Sequence, residues 1–368
     1  MQPPRHRSMT TKDRADIRAL LAALAGGVPT VALDIDGHSV AVTNLDRVYW
    51  PAEPAADHEP VTKRTFVRYL VTMSPLMLPS LADRPLTIFR WPEGLTWRRV
   101  LQRHWDIALP PFVDRVRIFS EAKGHDDEYI LCNNLATLVW LGQMGALEIH
   151  VWHSRTRPGR DAANDNVTFS GSIANLDASV LNFPDYLLFD LDPYIYSGKE
   201  TRRGEPEPTA AGFAKVKDVA FQLKDLLDSM ALESIVKTSG KTGLHVVVPI
   251  RRSVDYDVVR GLARVVGTHL LRRNPALITT EWSVEKRRGK VFFDYNMNAR
   301  GKSISAAYGP RGLSGAPVSM PLAWRDLERA EPGDFTLTRV LAKPRRRVDP
   351  WARVRTHKQD LVALLKNR

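Results

Sequence analysis

The segment Tyr186 to Pro193 reads YLLFDLDP, an apolar, aromatic-rich run that ends on two carboxylates one residue apart. Alternate side chains of a strand share a face, so Asp190 and Asp192 point the same way, about 7 Å apart, while Leu191 points into the core. Two such acids repel each other unless a cation sits between them, and hard oxygen ligands suit Mg²⁺ or Mn²⁺. A third acid, Asp294, ends another apolar run in VFFDYNMNARGKSISAAYGPRG, with Lys302 and Arg311 further along. Between the acids, a strand from Ser234 to Lys237 leads into TSGKTG and a second strand from Leu244 to Ile250. Glycine-rich turns let backbone amides approach phosphate; here Lys241 and the hydroxyls of Thr238, Ser239 and Thr242 complete an anion cradle, and His245 offers a donor to a triphosphate oxygen. The turn is no Walker A motif, because Ile235 stands where that motif needs its first glycine and a strand follows where it needs a helix. A lone D-x-D also describes two solvated strand-end acids, and a single strand histidine is commonly structural. Three strand-end acids, a phosphate-type turn and downstream basic residues together make up the parts of metal-assisted nucleotidyl transfer.

The elements that must position these residues follow from the hydrophobic pattern, taken in chain order. Residues 1 to about 15 are polar, and Ile17 to Ala25 is a short amphipathic helix closed by Gly26-Gly27. An alternating stretch from Val40, VAVTNLDRVYWP, enters a turn and delivers Arg47 beside Tyr49 and Trp50. A helix from about Thr62 to Met77 puts Phe66, Tyr69, Leu70 and Met73 on one face and Lys63, Arg64 and Arg68 away from it. The segment Pro85 to His104 is a strand, a turn and a basic, aromatic-rich stretch whose arginines suit phosphates and whose aromatics suit bases, unless the aromatics are core and the arginines simply solvated. A helix from Asn133 to Gly145 precedes a strand from Leu147 that carries His150, with His153 three residues on; 154–180 reads as a long polar surface loop or insertion. After a Gly/Pro/Glu-rich loop at 197–209, Ala211 to Met230 is the clearest helix.

Composition narrows the function classes. The chain has 368 residues, and Lys plus Arg outnumber Asp plus Glu by 53 to 41, a net charge of +12 that favours polyanionic partners such as nucleic acid. No apolar run approaches the ~18 to 20 residues that span a bilayer, so no membrane is expected. One cysteine, Cys132, excludes an internal disulfide and fits a reducing cytoplasm. Nothing at the N-terminus reads as a secretory signal.

FDLDP (Phe189 to Pro193), TSGKTGLHVVVPI (Thr238 to Ile250), FFDYNMNARGKSI (Phe292 to Ile304) and GAPVSMPLAW (Gly315 to Trp324) together resemble the primase-polymerase domain of bacterial DNA ligase D, in the archaeo-eukaryotic primase superfamily. The resemblance runs from about Val40 to about Ala342. It implies an α/β fold with mixed sheets: a primase-like catalytic module carrying the three aspartates, wrapped by an N-terminal α/β module. An extension with a short helix at 1–39 and a basic tail or helix at 343–368 flank the domain. It further implies that Asp190, Asp192 and Asp294 hold two Mn²⁺ or Mg²⁺ ions, and that Ser239, His245 and Arg311 hold the incoming NTP or dNTP. His150, in an ALE-x-H motif, joins them, and Lys302 matches a basic position of the same region. Lys241 stands one place earlier than the usual lysine of the SG-x-K-G turn. Relatives dock on the 5′-phosphate across a gap through positions corresponding to Arg47 and Lys63. Where many carry Phe-Phe before a Gln-Lys-His triplet, this chain has Val100-Leu101 before Gln102, Arg103 and His104, so stacking on template at that spot is either lost or supplied by Trp97. The implied activity is template-dependent addition of nucleotides, ribonucleotides in preference, at DNA ends and gaps during non-homologous end joining. The implied setting is cytoplasmic, at the nucleoid, with Ku; no K-x-D-G ligase motif occurs, so the expected ligase partner is a separate ATP-dependent enzyme. Two other readings are a haloacid-dehalogenase-like phosphatase, whose first motif is also hhhDxD but which needs Thr or Ser two residues after the second Asp, and a non-catalytic DNA-end-binding relative.

Overall fold

The computed structural model describes residues 11–52, 58–105, 107–195, 209–343 and 349–366. The polar N-terminus up to residue 10, the loop expected at 197–209 apart from Thr209, and residues 344–348 of the expected tail lie outside the described residues.

Helix α1 (Thr11–Ala25) is followed by the hairpin β1 (Val31–Ile35) and β2 (His38–Val42), then β3 (Val48–Trp50) and β4 (Val61–Thr62). Helix α2 (Lys63–Leu81) starts where Thr62 caps it by accepting the Thr65 amide, and buries Phe66, Val67, Leu70, Met73 and Met77 along one stripe. Next come β5 (Leu86–Arg90), β6 (Val100–Gln102), the hairpin β7 (Arg115–Ser120) and β8 (His125–Ile130), α3 (Leu135–Gln143), β9 (Ala146–Trp152) and α4 (Ile173–Ala178). The second half runs β10 (Tyr186–Pro193), α5 (Ala210–Ser229), β11 (Ile235–Thr238), β12 (Leu244–Pro249), α6 (Tyr256–Arg273), β13 (Ile278–Thr279), β14 (Val291–Asp294), β15 (Ser303–Ser305) and β16 (Pro321–Leu322).

Two sheets dominate. A six-stranded sheet has the order β13-β14-β10-β12-β11-β16, and a four-stranded sheet the order β15-β9-β5-β6. Every pairing in the larger sheet is antiparallel except β13 with β14. Its alternating faces divide the labour. Leu187, Phe189 and Leu191 are wholly buried, Phe189 meets Phe293 at 5.5 Å between ring centres, and Gly267 of α6 lies so close to Phe293 that a Cβ there would come within 2.7 Å of the ring. The opposite face carries Asp190 and Asp192 and looks toward the smaller sheet. The mixed α/β class is therefore as expected.

Three expectations are modified. The 154–180 stretch is not simply a surface loop: it contains α4 and inserts Phe169, Leu176 and Val180, together with Leu181 just beyond it, into a small second core with Ile118 and Trp152. Lys63 is not on the solvated side of α2 but is only 2% exposed. The C-terminal segment, expected as a basic tail or helix, forms short helices at Arg353–Thr356 and Leu361–Lys366 and packs onto the body: Trp351, Val354 and Leu361 are buried and Gln359 joins the backbone of Pro249 at the end of β12. The modules also interlock: β15, late in the chain, completes the smaller sheet by pairing with β9.

Candidate active site

Asp190 lies near the middle of the larger sheet and is flanked across both neighbours. Its register partner on β14 is Asp294 and on β12 is His245, and His245 is in turn opposite Lys237 on β11. Side chains opposite one another on adjacent strands share a face, so Asp294, Asp190, His245 and Lys237 form one row across four strands, with Asp192 one step along from Asp190. The cleft above this row is lined from the larger sheet by Asp190, Asp192, Ser239, Lys241, Thr242 and His245, and from the smaller one by His150 and Ser303 to Ser305; Arg311 closes it. Two residues spaced far apart in sequence, Asp190 and Asp294, are thus neighbours because antiparallel pairing puts both strand ends together.

The electrostatics of the row call for a cation. Asp192 is pushed up to about 8 by burial and by the charge of Asp190, and Asp190 to about 6 by burial, held back by Lys237 and Arg311. Asp294 is likewise raised to about 6 by burial and Asp190. Asp190 Oδ1 is buried with no hydrogen-bond partner, although His245 Nε2 approaches it to 3.3 Å. A buried, unpartnered carboxylate oxygen among like charges is a site for a hard divalent ion. Among the described residues no three acidic, histidine or cysteine side chains converge as a ready-made cage. An ion held here by the aspartates would complete its shell with substrate and water oxygens, the habit of Mg²⁺ in phosphate chemistry. The residues present fit that role.

The phosphate-type turn is held by its own serine. Ser239 Oγ accepts the amides of Lys241 and Gly243, so both lone pairs are engaged and the hydroxyl proton is left as a donor. Gly240 has φ 75° and a Cβ there would fall 2.7 Å from Arg311 and 2.9 Å from the Ser319 amide; a Cβ on Gly243 would fall 2.3 Å from the Leu191 carbonyl oxygen. Glycine is what lets the turn press against the aspartate strand. Arg311 donates through Nη1 to the Ser239 carbonyl at 2.6 Å and pairs through Nε with Glu148 at 3.2 Å, bridging the two sheets. Glu148 also meets His150 at 3.2 Å and accepts the Gly312 amide. Although burial pushes this carboxyl up, His150, Arg311 and that amide hold it down at about 2.

The remaining expected residues divide. Lys302 is exposed and does not line the cleft, but its charge acts on Asp294. His153 is wholly buried near Tyr186 and Tyr256 and does not line it either. Arg47 and Lys63 come together: the Lys63 amide donates to the Arg47 carbonyl, Lys63 Nζ lies 5.8 Å from the Tyr49 ring centre, and burial together with Arg47 draws Lys63 down to about 8. Arg47 is already engaged, with Glu93 at 2.8 Å and the Pro92 carbonyl at 3.0 Å. Trp97 is 64% exposed and Arg103 is exposed, whereas Gln102 bonds inward to Arg90 and the His104 carbonyl, and His104 faces Asp127 at 3.3 Å. Sequence reasoning missed Glu148 and Lys237. Glu148 stands in the quoted ALE-x-H motif two residues before His150, a signal that was present; Lys237, a lysine inside an apolar strand, was a weaker one.

Comparison with known proteins gives a consistent picture. A family model described as the LigD primase-polymerase domain matches residues 62–351. The multifunctional non-homologous end joining DNA repair protein LigD of Mycobacterium tuberculosis is 29% identical over 307 residues, which is 82% of this chain and 35% of that protein. The bifunctional non-homologous end joining protein LigD of Bacillus subtilis is 26% identical over 320 residues, 86% of this chain and 44% of that protein. The chain thus spans less than half the length of these relatives. The solved structure of the polymerase domain from Mycobacterium tuberculosis ligase D in complex with DNA superposes with a TM-score of 0.69 at 27% identity, over 87% of this chain and 99% of that one.

Proposed function

Because the chain belongs to the LigD primase-polymerase family, we propose that it is a template-dependent nucleotidyltransferase that adds nucleotides, ribonucleotides in preference, to DNA 3′ ends and gaps in non-homologous end joining. The observation that carries this reading is the row in which Asp190 faces Asp294 on one side and His245 on the other. It sets the carboxylates that would manage the reacting oxygens directly beside donors that suit a triphosphate. When bound, two Mn²⁺ or Mg²⁺ ions at Asp190, Asp192 and Asp294 would lower the pKa of the primer 3′-hydroxyl and neutralise charge on the departing pyrophosphate.

The chain's own residues supply the rest. Ser239 offers its hydroxyl proton, His245 its Nε2 edge, and Lys241 and Arg311 positive charge to the triphosphate, while Glu148 keeps Arg311 and His150 aimed into the cleft. Lys302 adds positive potential beside Asp294. Preference for ribonucleotides requires a group that hydrogen-bonds the 2′-hydroxyl, whose loss with a deoxynucleotide costs about one to three kcal/mol. Arg47 and Lys63 form the site for the 5′-phosphate across a gap, with Lys63 at the first turn of α2, where the positive end of the helix dipole favours an anion. Trp97 and Arg103 face template. Ku and a ligase are the partners this role requires, and the DNA in the solved relative supports DNA as the substrate surface. The phosphatase reading has no support in the comparisons, and the intact acids speak against a non-catalytic relative.

The test is extension of a primed, gapped template with one labelled NTP or dNTP and Mn²⁺. Wild type should extend the primer with a higher kcat/KM for the NTP, and Asp190→Ala, Asp192→Ala or Asp294→Ala should abolish extension while DNA binding persists. Full extension by the Asp192→Ala protein would overturn the assignment.

A further inference from the structure

We propose that Lys237 is a positioning residue for the nucleotide site, holding the His245 imidazole by donating to its Nδ1 and thereby placing the ring's proton on Nε2, the nitrogen that faces Asp190 and the cleft. The inference rests on the polymerase reading for its kinetic consequence, but not for its structural one.

Lys237 is wholly buried, and Nζ has three neighbours at hydrogen-bond range: His245 Nδ1 at 2.7 Å, Ser319 Oγ at 2.5 Å and Ser305 Oγ at 3.3 Å. Both hydroxyls have carbonyls to donate to, Ser319 to Thr238 at 2.8 Å and Ser305 to Ser239 at 3.1 Å, so each presents a lone pair to the lysine. Burial and the charge of Arg311 draw this lysine well below the usual range, but three acceptors at hydrogen-bond range match the three protons of an ammonium and work the other way. The Trp351 ring, 5.9 Å away, adds a face that favours a cation. The other arrangement, an amine accepting from an Nδ1–H, would leave only a lone pair on Nε2 and no proton there to donate into the cleft. With Nδ1 occupied by the ammonium, Nε2–H is a fixed donor toward a phosphate oxygen. The same lysine, through the two serines, ties down the carbonyls of Thr238 and Ser239 and so braces the turn that would cradle that phosphate. A buried lysine costs desolvation energy that a methionine of similar length avoids, and its retention is understandable if it sets the histidine.

The experiment is ¹⁵N NMR of histidine-labelled protein, with the His245 signals assigned by their loss in His245→Ala, joined to a double-mutant cycle on NTP use. The expected wild-type spectrum shows His245 as the Nε2–H tautomer, and Lys237→Met abolishes that single-tautomer signature. In extension assays Lys237→Met should raise KM for the NTP by about tenfold, with gapped-DNA affinity unchanged, and should add nothing in the His245→Ala background. An Nδ1–H tautomer in wild type, a Lys237→Met protein with wild-type KM, or additive losses in the double variant would each overturn the proposal. Should Lys237→Met fail to fold, the wild-type spectrum alone decides. A wild type that extends no primer defeats the polymerase reading while leaving the tautomer result intact.

Discussion

At the residue scale, the three aspartates are kept against the interest of stability. Asp192, raised to about 8, and Asp294, raised to about 6, hold protons in the folded protein at pH values where an unfolded aspartate, with a pKa near ~3.9, has lost them. The native state then binds more protons than the unfolded one, and stability falls as pH rises from about 4 through about 8. Removing the charge should therefore help the metal-free protein. With chelator present, Asp192→Asn is expected to melt about 2–4 °C above wild type at pH 8, with the gap closing toward pH 5 and reversing when Mn²⁺ is added. Thermal unfolding at the two pH values checks it; equal melting at both would show that the acids do not repel as described.

At the element scale, the turn between β11 and β12 and the start of α2 do the positioning. Gly243→Ala puts a methyl 2.3 Å from the Leu191 carbonyl oxygen and 2.6 Å from Asp192 Oδ1, so either the turn or the aspartate strand must shift. A displacement of this order in an active site costs about 10²-fold in rate, so a drop in kcat with a folded protein is expected from extension kinetics, and an unaltered kcat would mean the turn is compliant. At the head of α2, the Glu93 carboxylate occupies Arg47, the arginine proposed for the 5′-phosphate. Arg47→Ala with Lys63→Ala should erase the affinity difference between 5′-phosphorylated and 5′-hydroxyl gapped DNA, and Glu93→Gln should enlarge it. A general positive field would instead weaken both DNAs alike and change mainly the salt slope. Equal binding of the two DNAs by wild type would exclude the pocket.

At the scale of the whole molecule, the modules and the C-terminal segment are joined at one buried acid. Asp185, immediately before β10, is fully buried and meets Arg84 at 2.5 Å, Arg155 at 2.8 Å and Lys358 at 3.2 Å, with Arg252 Nε at 3.8 Å. Those partners come from the end of α2, the segment after β9, the C-terminal segment and the exit of β12. Together the four cations hold the Asp185 carboxyl well below the usual range despite its burial. Removing it would leave the buried Arg84 without its carboxylate and Arg155, Arg252 and Lys358 sharing the single charge of Asp161, so Asp185→Ala should cost about 3–5 kcal/mol, measured by denaturant unfolding. A loss under ~1 kcal/mol would show that the cluster does not carry the junction. The folded pKa lies below the unfolded one, so this contribution is present above pH ~4 and is lost as pH falls below it. Among the described residues no helix is long and apolar enough to cross a membrane.

Local pattern determined much of this protein. Period-two alternation in YLLFDLDP and VFFD places the acids on one face of their strands, and the spacing of Phe213, Val216, Val219 and Leu223 marks α5, because those properties depend on neighbours a few residues away. The family is likewise legible, in motifs each carried by a single short segment. Pairing is not local. That Asp190 faces Asp294 rather than another strand end, that Lys237 meets His245, and that Arg311 reaches both Glu148 and Ser239 depend on strand order and register between segments up to about 160 residues apart in the chain. For the same reason Lys63 read as a solvated helix residue and 349–366 as part of a tail, since burial of each is decided by what packs over it. The residue types that do the chemistry are a property of the sequence; which of them act on one another is a property of the folded sheets, where register turns distant positions into neighbours.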